Sequence, residues 1–235
     1  MNINKIQVVF VRHGESEWNK NNRFTGWVDI DLSNRGHLEA KQAGQLLKKN
    51  NFIFTYGYTS VLKRAIHTLW IILDQLNQAW LPIKKSWKLN ERHYGALQGL
   101  NKDEAIKKYG YETIQKWRRN FKDIPPGRVK NKNLITEIDD IHYNIMGIHN
   151  LPNGESLELT ANRVIPYWKN VIIPDINNNN HTIIIVTHGN SIRAMIKFLN
   201  CLSETEISKV EVPTGTPLIY EFNRDFQPIK HYYLS

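Results

Sequence analysis

The chain has 235 residues, 41% of them hydrophobic and 23% charged, with a formal charge of +9. That composition is ordinary for a globular protein of one large or two small domains. It excludes a membrane span, since no apolar run is long enough, and an internal disulfide, since Cys201 is the only cysteine. The lysines are scattered, apart from pairs such as Lys48-Lys49 and Lys84-Lys85. Scattered lysine is the pattern of a solvated face and speaks against nucleic acid as the partner. A small multiply phosphorylated ligand is the other way to account for the charge. Met1 to Lys5 lack the apolar run of a secretory leader, so the expected setting is cytoplasmic. Cys201 is expected to be a small buried apolar side chain.

In chain order, Val8-Val9-Phe10-Val11 reads as a buried strand. It stops at Arg12-His13-Gly14, where glycine allows a sharp turn. A polar loop to residue 32 follows. Ser33 caps a helix whose apolar face is Leu38, Ala43, Leu46 and Leu47, ended by Asn50-Asn51. A second strand lies within Phe52 to Ser60. Leu62, Ile66, Leu69, Trp70, Leu73 and Leu76 then recur at helical spacing, which predicts a core-facing stripe. Pro82 breaks the chain, and Ile83 to Ser86 suit a short strand.

Lys102 to Tyr109 and Tyr111 to Phe121 read as two helices divided by Gly110. Residues 123–150 show little periodicity. A helix is expected from Glu155 to about Ile173, kinked at Pro166, then a polar loop at Asn177 to Asn180. A strand at Ile183 to Val186, a helix from Ser191 to about Leu199, and strands at Pro217 to Phe222 and Ile229 to Tyr233 complete the chain. Strands alternating with helices predict an α/β fold, a three-layer sandwich with a mostly parallel central sheet flanked by helices, formed as one domain over 1–235.

One pattern occurs twice. Ile183-Ile184-Ile185-Val186-Thr187-His188-Gly189-Asn190 repeats the first strand's sequence of apolar run, His-Gly and polar residue. A lone His-Gly after a strand is usually a turn. Two of them on neighbouring parallel strands would bring both imidazoles to one sheet edge, where ligands of open α/β sheets bind. Neutral imidazole is a nucleophile near pH 7, and Arg12 and Arg64 supply planar forks suited to phosphate. Metal is the competing use of histidine. His13 and Glu17 are four apart but lie in a loop, and no third ligand at metal spacing follows.

Arg12-His13-Gly14-Glu15 is similar to the RHGE signature of the histidine phosphatase superfamily. Arg23-Phe24-Thr25-Gly26-Trp27, the run from Tyr58 to Thr68, the run from Trp87 to Lys102, and Trp117-Arg118-Arg119 resemble more narrowly the 2,3-bisphosphoglycerate-dependent phosphoglycerate mutases. The likeness covers about Ile6 to Lys122 and Leu151 to the C-terminus. It implies that His13 becomes a phosphohistidine and that His188 donates to the transferring group. Arg12, Arg64 and Asn19 would hold its oxygens, and Glu91 would carry the proton. It further implies Thr25, Gly26, Arg92, His93, Tyr94, Lys102, Arg118, Arg119, Gly189 and Asn190 as substrate contacts.

The implied reaction interconverts 2- and 3-phosphoglycerate, with 2,3-bisphosphoglycerate as primer and intermediate, no metal and a homodimeric enzyme. In relatives the segment at 123–150 helps cover the site. Glu91 could instead pair with Arg92. Adjacent arginines do not share a helix face, so one of Arg118 and Arg119 could serve structure. A phosphatase of the same superfamily and a nucleic-acid binder are the alternatives.

Overall fold

The apolar runs around the two His-Gly motifs pair with each other at the centre of one sheet. The structure, a computed structural model, describes residues 6–128, 140–147, 151–179 and 182–235. Its strands are β1 (Ile6–Arg12), β2 (Tyr56–Thr59), β3 (Ile83–Lys85), β4 (Thr182–Thr187), β5 (Pro217–Phe222) and β6 (Pro228–Tyr233), in the order β3-β2-β4-β1-β5-β6. The first four are mutually parallel; β5 adds to the β1 edge antiparallel to β1, and β6 pairs antiparallel with β5. Helices are α1 (Glu17–Lys20), α2 (Asn34–Lys49), α3 (Lys63–Gln75), α4 (Lys102–Tyr109), α5 (Tyr111–Arg119), α6 (Asp140–Ile145), α7 (Leu157–Tyr167), α8 (Ile173–Asn179), α9 (Gly189–Leu199) and α10 (Glu204–Lys209).

Side chains of a strand alternate between faces, and both faces of this sheet are covered. Val9, Val11, Ile184 and Val186 pack against Ala43 and Leu47 of α2 and Leu69, Ile72 and Leu73 of α3. Val8, Phe10, Ile183 and Ile185 pack against Val164 of α7, Trp168, and Ile192, Met195 and Ile196 of α9. The result is the expected three-layer α/β sandwich. Each fully buried aliphatic or aromatic side chain contributes roughly 1.5–3 kcal/mol, so the strands that carry His13 and His188 sit in the most strongly held part of the fold.

Several expectations are corrected. Cys201 is exposed, not a buried apolar residue. It follows the C-cap of α9 with φ 51°, and Leu202 N–H donates to Lys197 O across it at 3.0 Å. That is the left-handed exit of a helix C-terminus, which points the side chain to solvent. Trp70 is 51% exposed, while Leu62, Leu69 and Leu73 are buried. One residue past Leu69 is a turn of about 100° around the axis, and the Trp70 ring stacks on His67 at the flank instead.

The loop after β1 contains α1, capped reciprocally by Ser16 and Asn19. After Pro166 the helix widens to π geometry at Trp168–Ile172 and continues as α8, so it runs to Asn179 where a polar loop was expected. Helix α10 was not foreseen. Of the segment 123–150, residues 129–139 and 148–150 lie outside the described residues. Within it, Tyr143 of α6 is buried against Trp27.

Gly14 is also needed for a reason other than the expected turn. It is absent from the glycines with positive φ. A Cβ on it would stand 2.2 Å from Gly36 O, and a Cβ on Gly36 would stand 2.0 Å from Glu15 O. The loop carrying His13 therefore lies backbone to backbone on the first turn of α2. Gly36→Ala is expected to lower stability by about 1–3 kcal/mol, as forced overpacking does; denaturant unfolding measures it, and an unchanged midpoint would show that the two backbones can separate freely.

Candidate active site

The register Arg12↔Thr187 between β1 and β4, with His13 N–H donating to Thr187 O at 2.9 Å, ends both strands at one level. The chain then delivers His13 and His188 side by side, ring centroids 5.0 Å apart, both buried. His13 Nδ1 lies 2.6 Å from Gly14 O. A carbonyl only accepts, so Nδ1 carries the proton and Nε2 keeps its lone pair. Arg64 Nε donates to that Nε2 at 3.3 Å. Burial, then the charges of Arg64 and Arg12, hold the His13 imidazole well below its usual pKa. Burial thus outweighs the two arginines. His188 Nε2 meets Ser60 Oγ at 2.8 Å, and burial followed by Arg64 holds it well below the usual range too.

Arg64, in the first turn of α3, is buried and aimed by backbone: Nη1 donates to Val28 O and Nη2 to Gly26 O. Burial lowers it to about 10, so it stays charged at neutral pH. Gly26 is fixed by a positive φ of 58° and by Gln98 Oε1, which a Cβ would strike; the same oxygen accepts from Trp27 N–H. Arg12 Nη1 donates to Val212 O at 2.7 Å, while its buried Nε, Thr25 Oγ1 and His188 Nδ1 have no partner among the described residues. Buried donors in this state suit an anion with several oxygens. Asn19 Oδ1 is engaged by Ser16.

Glu91 is buried, and its Oε1 accepts from two backbone N–H groups, those of Arg92 (2.8 Å) and Asn190 (3.1 Å). Its carboxylate therefore meets the Arg92 backbone, whereas the Arg92 guanidinium goes to Tyr94 Oη and Arg118 O.

One pocket of about 730 Å³, part of it open to solvent, gathers most of the predicted residues: Arg12, His13, Asn19, Thr25, Gly26, Arg64, Glu91, Tyr94, Lys102, Arg118, Arg119, Gly189 and Asn190 all line it. His188, Arg92 and His93 are not among its lining residues. His93 Nδ1 accepts from Gly95 N–H, and its ring lies against Trp27. Arg118 and Arg119 both reach the pocket, because α5 ends at Arg119; Arg119 also pairs with Glu211. Burial and the nearby Arg118 lower the Lys102 ammonium.

Arg23, Phe24, Arg193, Glu211 and Val212 line the pocket without having been predicted. Arg23 and Phe24 stood in a quoted motif. Arg193 follows Asn190 by three residues on α9 and donates to its Oδ1, a helical spacing visible in sequence; Glu211 and Val212 carried no such signal. Among the described residues no group of three or more His, Cys, Asp or Glu could hold a metal.

The sequence pattern of the Histidine phosphatase superfamily (branch 1) matches residues 8–141 and 137–234. The fold and the paired histidines thus belong to a protein of that superfamily. The chain is 70% identical to the 2,3-bisphosphoglycerate-dependent phosphoglycerate mutase of Blochmanniella floridana over 98% of each sequence. It is 58% identical to that of Baumannia cicadellinicola subsp. Homalodisca coagulata, over all of this chain and 98% of the relative. The chain belongs to the 2,3-bisphosphoglycerate-dependent phosphoglycerate mutase family. Among solved structures, a phosphoglycerate mutase from Bacillus anthracis str. Sterne shares the fold at TM-score 0.69 and 22% identity, covering 100% of this chain and 93% of that one. A mycobacterial glucosyl-3-phosphoglycerate phosphatase does so at 0.73 and 19%, covering 97% of both.

Two expected outcomes test this geometry. An imidazole whose pKa in the fold lies below the unfolded value of about 6.5 is neutral in the fold while the unfolded chain takes up a proton. Its stabilising contribution is complete above about pH 6.5 and declines as pH falls toward the folded pKa, by up to about 1.4 kcal/mol per pH unit per histidine. Unfolding free energies between about pH 7.5 and 5.5 should therefore fall with acidity, less steeply in His188→Asn. A flat wild-type profile would contradict neutral buried histidines. Glu211 is the pocket's exposed carboxylate and occupies Arg119. Glu211→Gln should tighten binding of a small bisphosphate roughly two- to fivefold at low salt, the worth of an exposed ion pair, with the gain shrinking as salt rises. Calorimetric titration showing equal or weaker binding would mean that Glu211 does not compete for that cation.

Proposed function

We propose that this chain interconverts 2-phosphoglycerate and 3-phosphoglycerate through phospho-His13, primed by 2,3-bisphosphoglycerate, in glycolysis and gluconeogenesis. The observation that carries the reading is the charge of this pocket. Seven of its lining side chains (Arg12, Arg23, Arg64, Lys102, Arg118, Arg119, Arg193) are cationic, against the two carboxylates Glu91 and Glu211. A single phosphoryl group at His13 needs only the cations beside it. The others suit a second anionic group on the same ligand, which a phosphoglycerate has.

In the proposed cycle His13 Nε2 gives its lone pair to phosphorus, in line with the oxygen that leaves. Arg64 Nε must let go of Nε2 and can then donate to an equatorial oxygen, as can Arg12 and Asn19. His188 would hydrogen-bond the group through Nδ1 as charge builds on it; its support is that this buried nitrogen has no partner among the described residues and that its ring lies 5.0 Å from that of His13. Glu91 gives its proton to the departing alkoxide. In the second half Glu91 takes the proton of the free hydroxyl, the hydroxyl oxygen attacks phosphorus and the P–N bond breaks. Tyr94, Lys102, Arg118 and Arg119 hold the remainder of the ligand, with Thr25, Gly26, Gly189 and Asn190 along the wall. The buried donors without partners fit 2,3-bisphosphoglycerate as primer.

The proposed working form is a cytoplasmic homodimer. The homodimer is supported by the β3 edge of the sheet, free among the described residues, where Lys85 lies over the ring of the exposed Trp70. Among the described residues, no helix is long and apolar enough to cross a membrane.

A phosphatase would use His13 likewise and pass its phosphoryl group to water. The deciding measurement is the lifetime of phospho-His13, loaded from 2,3-bisphosphoglycerate, with and without 3-phosphoglycerate. Loss should be at least about 10²-fold faster with the acceptor, because an oriented hydroxyl outcompetes water. Equal lifetimes would replace the mutase reading by the phosphatase one.

A further inference from the structure

Behind the pocket lies a buried ion pair neither of whose residues lines it. Arg163 of α7 and Glu155, just before that helix, are both buried. Arg163 Nε donates to Glu155 Oε1 at 2.8 Å and Nη2 donates to Oε2 at 2.9 Å. The other donors go to one stretch of backbone: Nη1 to Lys88 O and Asn90 O, both at 2.9 Å, and Nη2 to Glu91 O at 2.8 Å. All five N–H donors of the guanidinium are thereby used. Glu155 closes the loop from the other end: its Oε2 accepts from His93 N–H, and its own N–H donates to His93 O, both at 2.8 Å. Burial pushes the Glu155 carboxyl up, but the Arg163 charge and hydrogen bonds and the His93 N–H more than offset this and hold it below the usual carboxylate range.

Such a pair is an expensive way to fill a core, since desolvation of two charges consumes much of their attraction. A pair of apolar side chains would fill the volume but would leave three carbonyls of an irregular segment, at Lys88, Asn90 and Glu91, short of these donors. That segment carries Glu91. Its remaining ties converge on the same place: Trp27 Nε1 donates to Glu91 O, Ser191 Oγ to Asn90 O and Thr187 Oγ1 to Leu89 O. With the backbone held so, Glu91 Oε1 is locked on Arg92 N–H and Asn190 N–H. Oε2 is the oxygen left to face a ligand.

We propose that Arg163, bridged by Glu155 to His93, is the positioning residue for the proton carrier: it clamps the Lys88–Glu91 backbone so that Glu91 presents Oε2 to the pocket. The inference rests on the reading of Glu91 as proton carrier. It makes Arg163 act on turnover only through Glu91, without contact with substrate. Lysine cannot replace it, because a point ammonium lacks the planar fork that reaches three carbonyls and a carboxylate together.

The test is a double-mutant cycle on one step, the single-turnover loading of His13 from 2,3-bisphosphoglycerate, with wild type, Arg163→Lys, Glu91→Gln and the double variant, each checked for a cooperative thermal melt. Arg163→Lys alone should slow loading roughly tenfold or more, since an ångström of misplacement costs up to about 10²-fold. In the Glu91→Gln background the same change should cost no more than about twofold, because the group it positions no longer carries a proton. Fully multiplicative losses would overturn the clamp and make Arg163 a general support of the fold. An unchanged rate in Glu91→Gln alone would instead overturn the reading of Glu91, a separate outcome. Should Arg163→Lys fail to fold, Glu155→Gln takes its place in the cycle. There the fork keeps an uncharged acceptor, and the same non-additivity is expected.

Discussion

The parallel pairing of β1 with β4 is the constraint on which the site depends. Its register sets Arg12 opposite Thr187, and each strand's next residue is a histidine. A slip of one residue would exchange the faces of a whole strand and would require both apolar layers, against α2–α3 and α7–α9, to repack at once. The distance between His13 and His188 is therefore held by the core of the molecule. Gly14 and Gly36 extend this control into the loop, where backbone contact leaves no room for a side chain.

A concentration of like charge follows from that geometry and must be supported without a ligand. The structure does this with backbone carbonyls. Arg64 leans on Gly26 O and Val28 O, Arg12 on Val212 O, and Arg193 on Ile207 O. Carbonyl dipoles stabilise a buried guanidinium without neutralising it, and Arg64 and Arg193, both brought down to about 10 mainly by burial, remain cations at neutral pH. Their carbonyl-bound nitrogens fix the direction of the fork, so the cationic end of the site is preorganised before any anion arrives.

The strands, the helices at 34–49, 63–75 and 102–119, and the paired His-Gly ends were legible because each is written in a local period or a local motif. What was not legible is tertiary. Nothing local separates Trp70 from the apolar stripe beside it, or tells that Cys201 must leave α9 in a left-handed turn. Glu211 and Val212 join the pocket only because Arg12 and Arg119 reach across to them. The π stretch at Trp168–Ile172 has no local signature in the sequence. Arg163 and Glu155 had no signature at all: two charged residues eight apart on the edge of a helix read as solvated surface, and only the fold shows them buried under Glu91.

The two histidines and Glu91 are thus held by different means. The histidines stand on strand ends in the best-packed part of the protein. Glu91, Tyr94 and the α4–α5 cations stand on irregular backbone or helix ends, fixed by side-chain bonds to carbonyls. A fold shared at about 20% identity with both a phosphoglycerate mutase and a glucosyl-3-phosphoglycerate phosphatase fits this division, because the sheet alone selects neither reaction. In the proposed cycle the strand ends would carry the phosphoryl transfer itself. What accepts the phosphoryl group depends on whether the second group of residues can hold an acceptor and deprotonate it before water intervenes. In the proposed cycle Lys102, Arg118 and Arg119 would supply the first condition and Glu91, on its clamped segment, the second, so that selection for one acceptor would rework helix ends and carbonyl ties while the paired strands stay as they are.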